Sequence, residues 1–110
     1  MSDYNYVIVL TTMPADGHED QAERLARTLV EERLAACVNV QTPMQSIYRW
    51  EGIVEHAAER QLVIKTATGC LERLQTRLTE LHPYEVPECV VVPILGGSEG
   101  YLAWLGDSVR

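Results

Sequence analysis

Ser46-Ile47-Tyr48-Arg49-Trp50-Glu51-Gly52-Ile53 decides the fold, because it sets two strand-like runs back to back with only a tight turn between them. Ser46 to Trp50 alternates inward and outward, and Ile53 to Thr66 reads as the next strand. Glu51-Gly52 has the composition of a hairpin turn in which glycine takes positive φ. Toward the N-terminus, Ala36-Cys37-Val38-Asn39-Val40 belongs to the earlier of these strands, and Pro43 marks a bend or edge, so that strand is long or broken. Before it, from Glu19, the residues Ala22, Leu25, Ala26, Leu29 and Val30 fall at helical spacing, with acids in the first turn and Arg33 in the last. Tyr6-Val7-Ile8-Val9-Leu10-Thr11-Thr12 is a β-branched, nearly all-apolar first strand, ended by Pro14 and Asp16-Gly17. Toward the C-terminus, Leu71, Leu74, Leu78 and Leu81 mark a second helix stopped by His82-Pro83, since the residue before proline avoids helical geometry. Cys89 to Leu95 is the last strand, with Pro93 at an edge or bulge. Gly96-Gly97 turns the chain into a final helix capped by Ser98-Glu99, with Tyr101, Leu102 and Leu105 inward.

This order predicts an α+β fold: a ferredoxin-like βαββαβ sandwich with an additional C-terminal helix, two helices covering one face of a four-stranded antiparallel sheet. The other face is then bare, and apolar strands such as Val7 to Leu10 and Val90 to Ile94 predict self-association. At 110 residues and 12.4 kDa the chain, 1–110, is a single domain. Surface scaling leaves about 6,100 Å² exposed, roughly a third of the unfolded surface. Hydrophobic content of 46% with 23% charged residues is globular composition, and no apolar run reaches membrane-spanning length, so no membrane partner is expected. A net charge of −7 repels a phosphate backbone, so nucleic acid is not an expected partner either. Met1 to Tyr6 carries an acid where a signal peptide has its positive region, and Cys37, Cys70 and Cys89 are odd in number and far apart. Both point to reduced thiols and a cytoplasmic location.

The chain contains no His-Glu-x-x-His, Gly-x-Ser-x-Gly, Walker A or dinucleotide motif, and no enzymatic activity is expected. Gly96-Gly97-Ser98-Glu99-Gly100 opens a helix, but Glu99 contests an anion there, which leaves a turn and a cap. Of three histidines, His18 reads as a surface residue at a helix start and His56 as a solvated residue beside Glu55 and Glu59. His82 precedes Pro83-Tyr84-Glu85-Val86-Pro87-Glu88, a proline-bracketed loop presenting an imidazole, a phenol and two carboxylates, and is the candidate metal ligand. Eight of the nine basic residues are Arg; the sole Lys, Lys65, lies in the apolar run Leu62-Val63-Ile64-Lys65-Thr66. An ammonium there needs a carboxylate or an anionic ligand, with Glu88 the candidate carboxylate, unless its stem is buried and its head solvated.

Glu31-Glu32-Arg33-Leu34-Ala35-Ala36-Cys37-Val38-Asn39, Ser46-Ile47-Tyr48-Arg49-Trp50-Glu51-Gly52, Ile64-Lys65-Thr66, His82-Pro83-Tyr84-Glu85-Val86-Pro87-Glu88 and Tyr101-Leu102-Ala103-Trp104 together resemble the CutA family of divalent-cation tolerance proteins. The resemblance spans nearly the whole chain. It implies a ferredoxin-like subunit in a tight homotrimer and a role in tolerance to copper and other divalent cations, with copper or another divalent cation as ligand. Members described as copper-binding carry a Cys at the end of the first strand and a His pair before Pro-Tyr; here those positions are Thr11 and Leu81-His82. The trimeric PII signalling proteins share this subunit architecture. That similarity implies an alternative, a sensor of a small anionic ligand at subunit interfaces lined by Trp50, Lys65, Tyr84 and Glu88. A trimeric scaffold for partner proteins is a third possibility.

Overall fold

The computed structural model describes residues 4–15 and 20–110. Its elements run β1 (Tyr6–Pro14), α1 (Gln21–Glu31), β2 (Cys37–Val40), β3 (Met44–Trp50), β4 (Ile53–Ala67), α2 (Leu71–Leu81) after a 3-10 turn at Thr68–Cys70, β5 (Val90–Pro93) and α3 (Glu99–Asp107). The fold is mixed α+β: one five-stranded antiparallel sheet and, among the described residues, three helices. The strand order is β2-β4-β1-β5, with β3 also paired to β4. The strand read as long or broken is broken: β2 and β3 lie one after the other along the same edge of β4, β2 from Lys65 to Leu62 and β3 from Glu59 to Ile53. β1 extends two residues further than expected, to Pro14 opposite Glu59, and β5 is shorter, with Pro93 on the outermost strand, where its missing N–H costs least.

Alternation along the paired central strands sorts the core. Val7, Val9, Leu62 and Ile64 face the helices and meet Leu25, Leu29, Leu74 and Leu78 in one buried cluster. Each such side chain contributes about 1.5–3 kcal/mol by leaving water. Val30 and Leu81, expected on the helices' inward stripes, are exposed at the margins of those stripes. The opposite face of the sheet is not wholly bare. α3 packs over its end, where Leu105 and Val109 form a second cluster with Tyr6, Ala67 and Ile94. Leu105 is fully buried and Leu102 half-buried, but Tyr101, expected inward, is exposed.

Asp20 caps α1 by accepting the Glu23 N–H at 3.0 Å. Arg33 lies past the helix end, not in its last turn: it takes φ 61° while its N–H donates to Val30 O and the Leu34 N–H donates to Leu29 O. That is the left-handed exit usually given to glycine. The left-handed region costs a residue with a Cβ about 1–2 kcal/mol, of which glycine's greater unfolded freedom takes back about 0.5–1. Arg33→Gly should therefore stabilise the protein by about 0.5–1 kcal/mol, read from urea unfolding midpoints.

Glu51 and Gly52, with φ 50° and 83°, form the expected two-residue turn between β3 and β4. The outer half of this hairpin, residues 47–56, is exposed throughout. The molecule measures 43 × 29 × 24 Å with a radius of gyration of 14.6 Å, against about 13 Å for a compact chain of this length.

Candidate functional site

The loop after α2 is held by a chain of four residues. His82 ends the helix in an extended conformation (φ −79°, ψ 135°), as its place before Pro83 requires, and turns its ring inward. Nε2 lies 2.7 Å from the Thr12 carbonyl oxygen, and Nδ1 lies 3.1 Å from the Tyr84 backbone nitrogen. A carbonyl only accepts and an amide N–H only donates, so Nε2 carries the proton and Nδ1 is the acceptor. The Tyr84 ring tilts against the imidazole at 4.8 Å between centroids, and its hydroxyl donates to Glu59 Oε2 at 2.6 Å. The loop is thereby fastened to the end of β1 and the middle of β4.

Burial holds the His82 pKa below its ordinary value of 6.5, opposed by the Thr12 carbonyl and the charge of Glu59. The neutral ring therefore stabilises the fold in full above about pH 6.5, and this contribution falls as pH drops below that value through the lowered folded-state pKa. Protonation would also turn a second N–H toward the Tyr84 N–H. Urea midpoints should decline from about pH 7.5 to about pH 5 with a steeper slope in the wild type than in His82→Gln.

Under this loop, between it and β3, lies a cleft of about 660 Å³. Trp50, Tyr84 and Glu88, three of the four residues expected to form a ligand site, line it together. Lys65 does not. It lies on the same sheet face six residues beyond Glu59 on β4, about 20 Å along the strand, with Nζ 5.7 Å from the centroid of the Tyr101 ring on α3. The expected pairing of Lys65 with Glu88 is thus not made within one chain; an aromatic face meets the ammonium instead. Sequence reading missed Glu59, Gln61 and Tyr48, which also line the cleft. Glu59 is only 6% exposed, and its one signal was an acid on the sheet face opposite the helices.

The residues present do not fit a soft-metal site. Both ring nitrogens of His82 are committed to backbone partners, which leaves no lone pair for a metal. Thr11, at the position where the copper-binding pattern has Cys, is fully buried, its hydroxyl without a partner among the described residues. Leu81 is exposed on α2. Cys37 lies on β2; Cys70 is buried at the 3-10 turn, its thiol donating to the Arg110 carbonyl at 3.4 Å; Cys89 precedes β5; all three are free thiols. His56 pairs with Gln45 at 3.2 Å on the exposed hairpin, and His18 lies outside the described residues. No group of three or more His, Cys, Asp or Glu side chains is placed to hold a metal ion among the described residues.

The family model of the CutA1 divalent ion tolerance protein matches residues 7–108. A divalent-cation tolerance protein CutA from Thermus thermophilus is 46% identical over 101 residues, covering 92% of this chain and 95% of the relative. The chloroplastic protein CutA of Arabidopsis thaliana is 41% identical over 94% of this chain, which spans 56% of that longer relative. The crystal structure of CutA1 from Oryza sativa superposes with a TM-score of 0.90 at 39% identity, covering 97% of this chain and 95% of that one.

Proposed function

The chain belongs to the CutA1 divalent ion tolerance family, and from that premise we propose that it serves tolerance to divalent cations, copper among them, as a cytoplasmic homotrimer of ferredoxin-like subunits. One observation carries the assembly: Ile47, Ile53, Val54 and Leu95 are 60–82% exposed, on the outer half of the β3–β4 hairpin and just past β5. Soluble monomers rarely leave so much large apolar surface in water. The strand order β2-β4-β1-β5 with α1 and α2 on one face supports the ferredoxin-like reading, and three free cysteines suit a reducing compartment.

Tolerance acts without copper held on the side chains of the described residues, because His82 has no free nitrogen and the thiols lie apart. A sensor of an anionic ligand is less favoured, since no Lys, Arg or His of the same chain lines the cleft among the described residues. Growth of a deletion strain on graded copper and zinc tests the reading, with equilibrium dialysis of the purified, reduced protein beside it. Cation sensitivity restored equally by wild type and His82→Gln, with substoichiometric copper uptake, supports it. Stoichiometric copper binding abolished by His82→Gln overturns the indirect action, and a deletion with no cation phenotype overturns the function.

A further inference from the structure

We propose that the Lys65 ammonium of one subunit enters the cleft of a neighbouring copy and pairs with Glu59 there, so that each cleft is completed by a second chain. This rests on the trimer proposed above and names the groups that close it. Glu59 is almost fully buried and accepts from the Tyr84 hydroxyl at 2.6 Å, yet it forms no ion pair with Lys or Arg among the described residues. A carboxylate in that position is costly until a positive charge joins it. Lys65, the sole Lys of the chain, has the converse need: its ammonium lies over the Tyr101 ring and forms no ion pair with a carboxylate among the described residues.

Register sets both groups on one face of the sheet. Residues 59, 61, 63 and 65 of β4 alternate away from Leu62 and Ile64, which face the helices. Ile8 and Val92 lie in the same row as Lys65, and Leu10 and Val90 in the row of Val63. The two charges thus stand at opposite ends of an apolar field, about 20 Å apart along the strand, and cannot meet within one chain. A copy that covers this field takes both of them out of water. Arg49 lies opposite Val54, and by the same alternation both it and Arg60 belong to the other face. Among the described residues, Lys65 is therefore the only Lys or Arg that the strands present on this one.

The two ends are complementary. Glu85 and Glu88 line the cleft beside Glu59 and deepen its negative potential. In a ring of three, each contact sets one patch of a subunit against a different patch of the next, so the acidic end of every chain meets the lysine end of its neighbour and no charge is left over.

Glu59→Gln keeps an acceptor for the Tyr84 hydroxyl and Lys65→Met keeps the apolar stem; the two are made singly and together. Sedimentation equilibrium should show each single variant needing at least about tenfold more protein to stay assembled, because the remaining charge is stranded in the contact. The double variant, which strands neither, should assemble at least as well as the weaker single. Joint refolding of the two single variants, one of them isotope-labelled, separates pairing between chains from pairing within one. Lys65 of the Glu59→Gln chain then meets Glu59 of the Lys65→Met chain, and native mass spectrometry should find mixed trimers in excess of random assortment. Additive losses in the double variant, or mixed trimers at the random proportion, overturn the pairing while the trimer stands. A wild-type protein with the mass of a single chain overturns both, and growth on copper still tests the tolerance reading separately.

Discussion

His82→Ala should lower the unfolding free energy by about 2–4 kcal/mol and release the Pro83–Glu88 loop, with or without metal. The ring is 7% exposed and bridges two backbone groups distant in sequence, the Thr12 carbonyl and the Tyr84 amide. Alanine removes both hydrogen bonds, and each costs about 1–3 kcal/mol where water cannot replace it. It also empties the space against which the Tyr84 ring packs, so the hydroxyl contact to Glu59 loosens with it. Glutamine offers an N–H and a carbonyl at comparable reach, so His82→Gln should recover half or more of the loss. Urea unfolding of the three proteins, each with and without copper, measures this. If His82→Gln is as unstable as His82→Ala, the hydrogen-bond account fails. If His82→Ala loses stability only in the presence of copper, the imidazole is a ligand and its structural role is secondary. The comparison matters because a copper-sensitive phenotype in His82→Ala cells, taken alone, reports a damaged loop as readily as a lost metal site.

Local patterns made most of the fold legible, and tertiary contacts made the site opaque. Leu25 and Leu29 on α1, and Leu74 and Leu78 on α2, declare a buried face by spacing alone, and the structure buries all four. Glu51-Gly52 declares its turn by composition, and both residues take the positive φ that the turn demands. Arg33 is the local exception: nothing in an arginine announces a left-handed exit, which the following Leu34 enforces by closing back on Leu29.

The site depends on what crosses over the sheet. Glu59 and Glu55 occupy equivalent positions in the alternation of β4, yet only Glu59 is buried, since Tyr84 arrives above it from a different part of the chain. His82 could be placed in a loop from Pro83, but the direction of its ring is set by a carbonyl 70 residues away. Lys65 was legible as a charge in need of a partner. That the partner is the Tyr101 ring follows from α3 folding back over the second sheet face, which no spacing within the strand contains.

Ile47→Lys combined with Val54→Glu should convert the proposed trimer into single chains. Ile47 is 71% and Val54 60% exposed, and the pairing of Ile47 with His56 and Arg49 with Val54 sets them diagonally on one face of the hairpin. Opposite charges on that diagonal attract, so the hairpin keeps its own pairing while its apolar patch is lost. Burying one such side chain at an interface is worth about 1.5–3 kcal/mol, and charging two forfeits that and adds a desolvation cost. The loss of about 4 kcal/mol or more per subunit is close to a thousandfold in each contact. Light scattering after size exclusion should therefore give three times the 12.4 kDa chain mass for the wild type and a single chain for the double variant. Thermal stability should fall by about 10 °C or more, because association no longer adds to folding. It should also lose its dependence on protein concentration. A variant that keeps the wild-type mass would move the interface to α3 and the segment after β5, where Trp104 and Leu95 are the exposed apolar residues. The hairpin would then be free for a different protein.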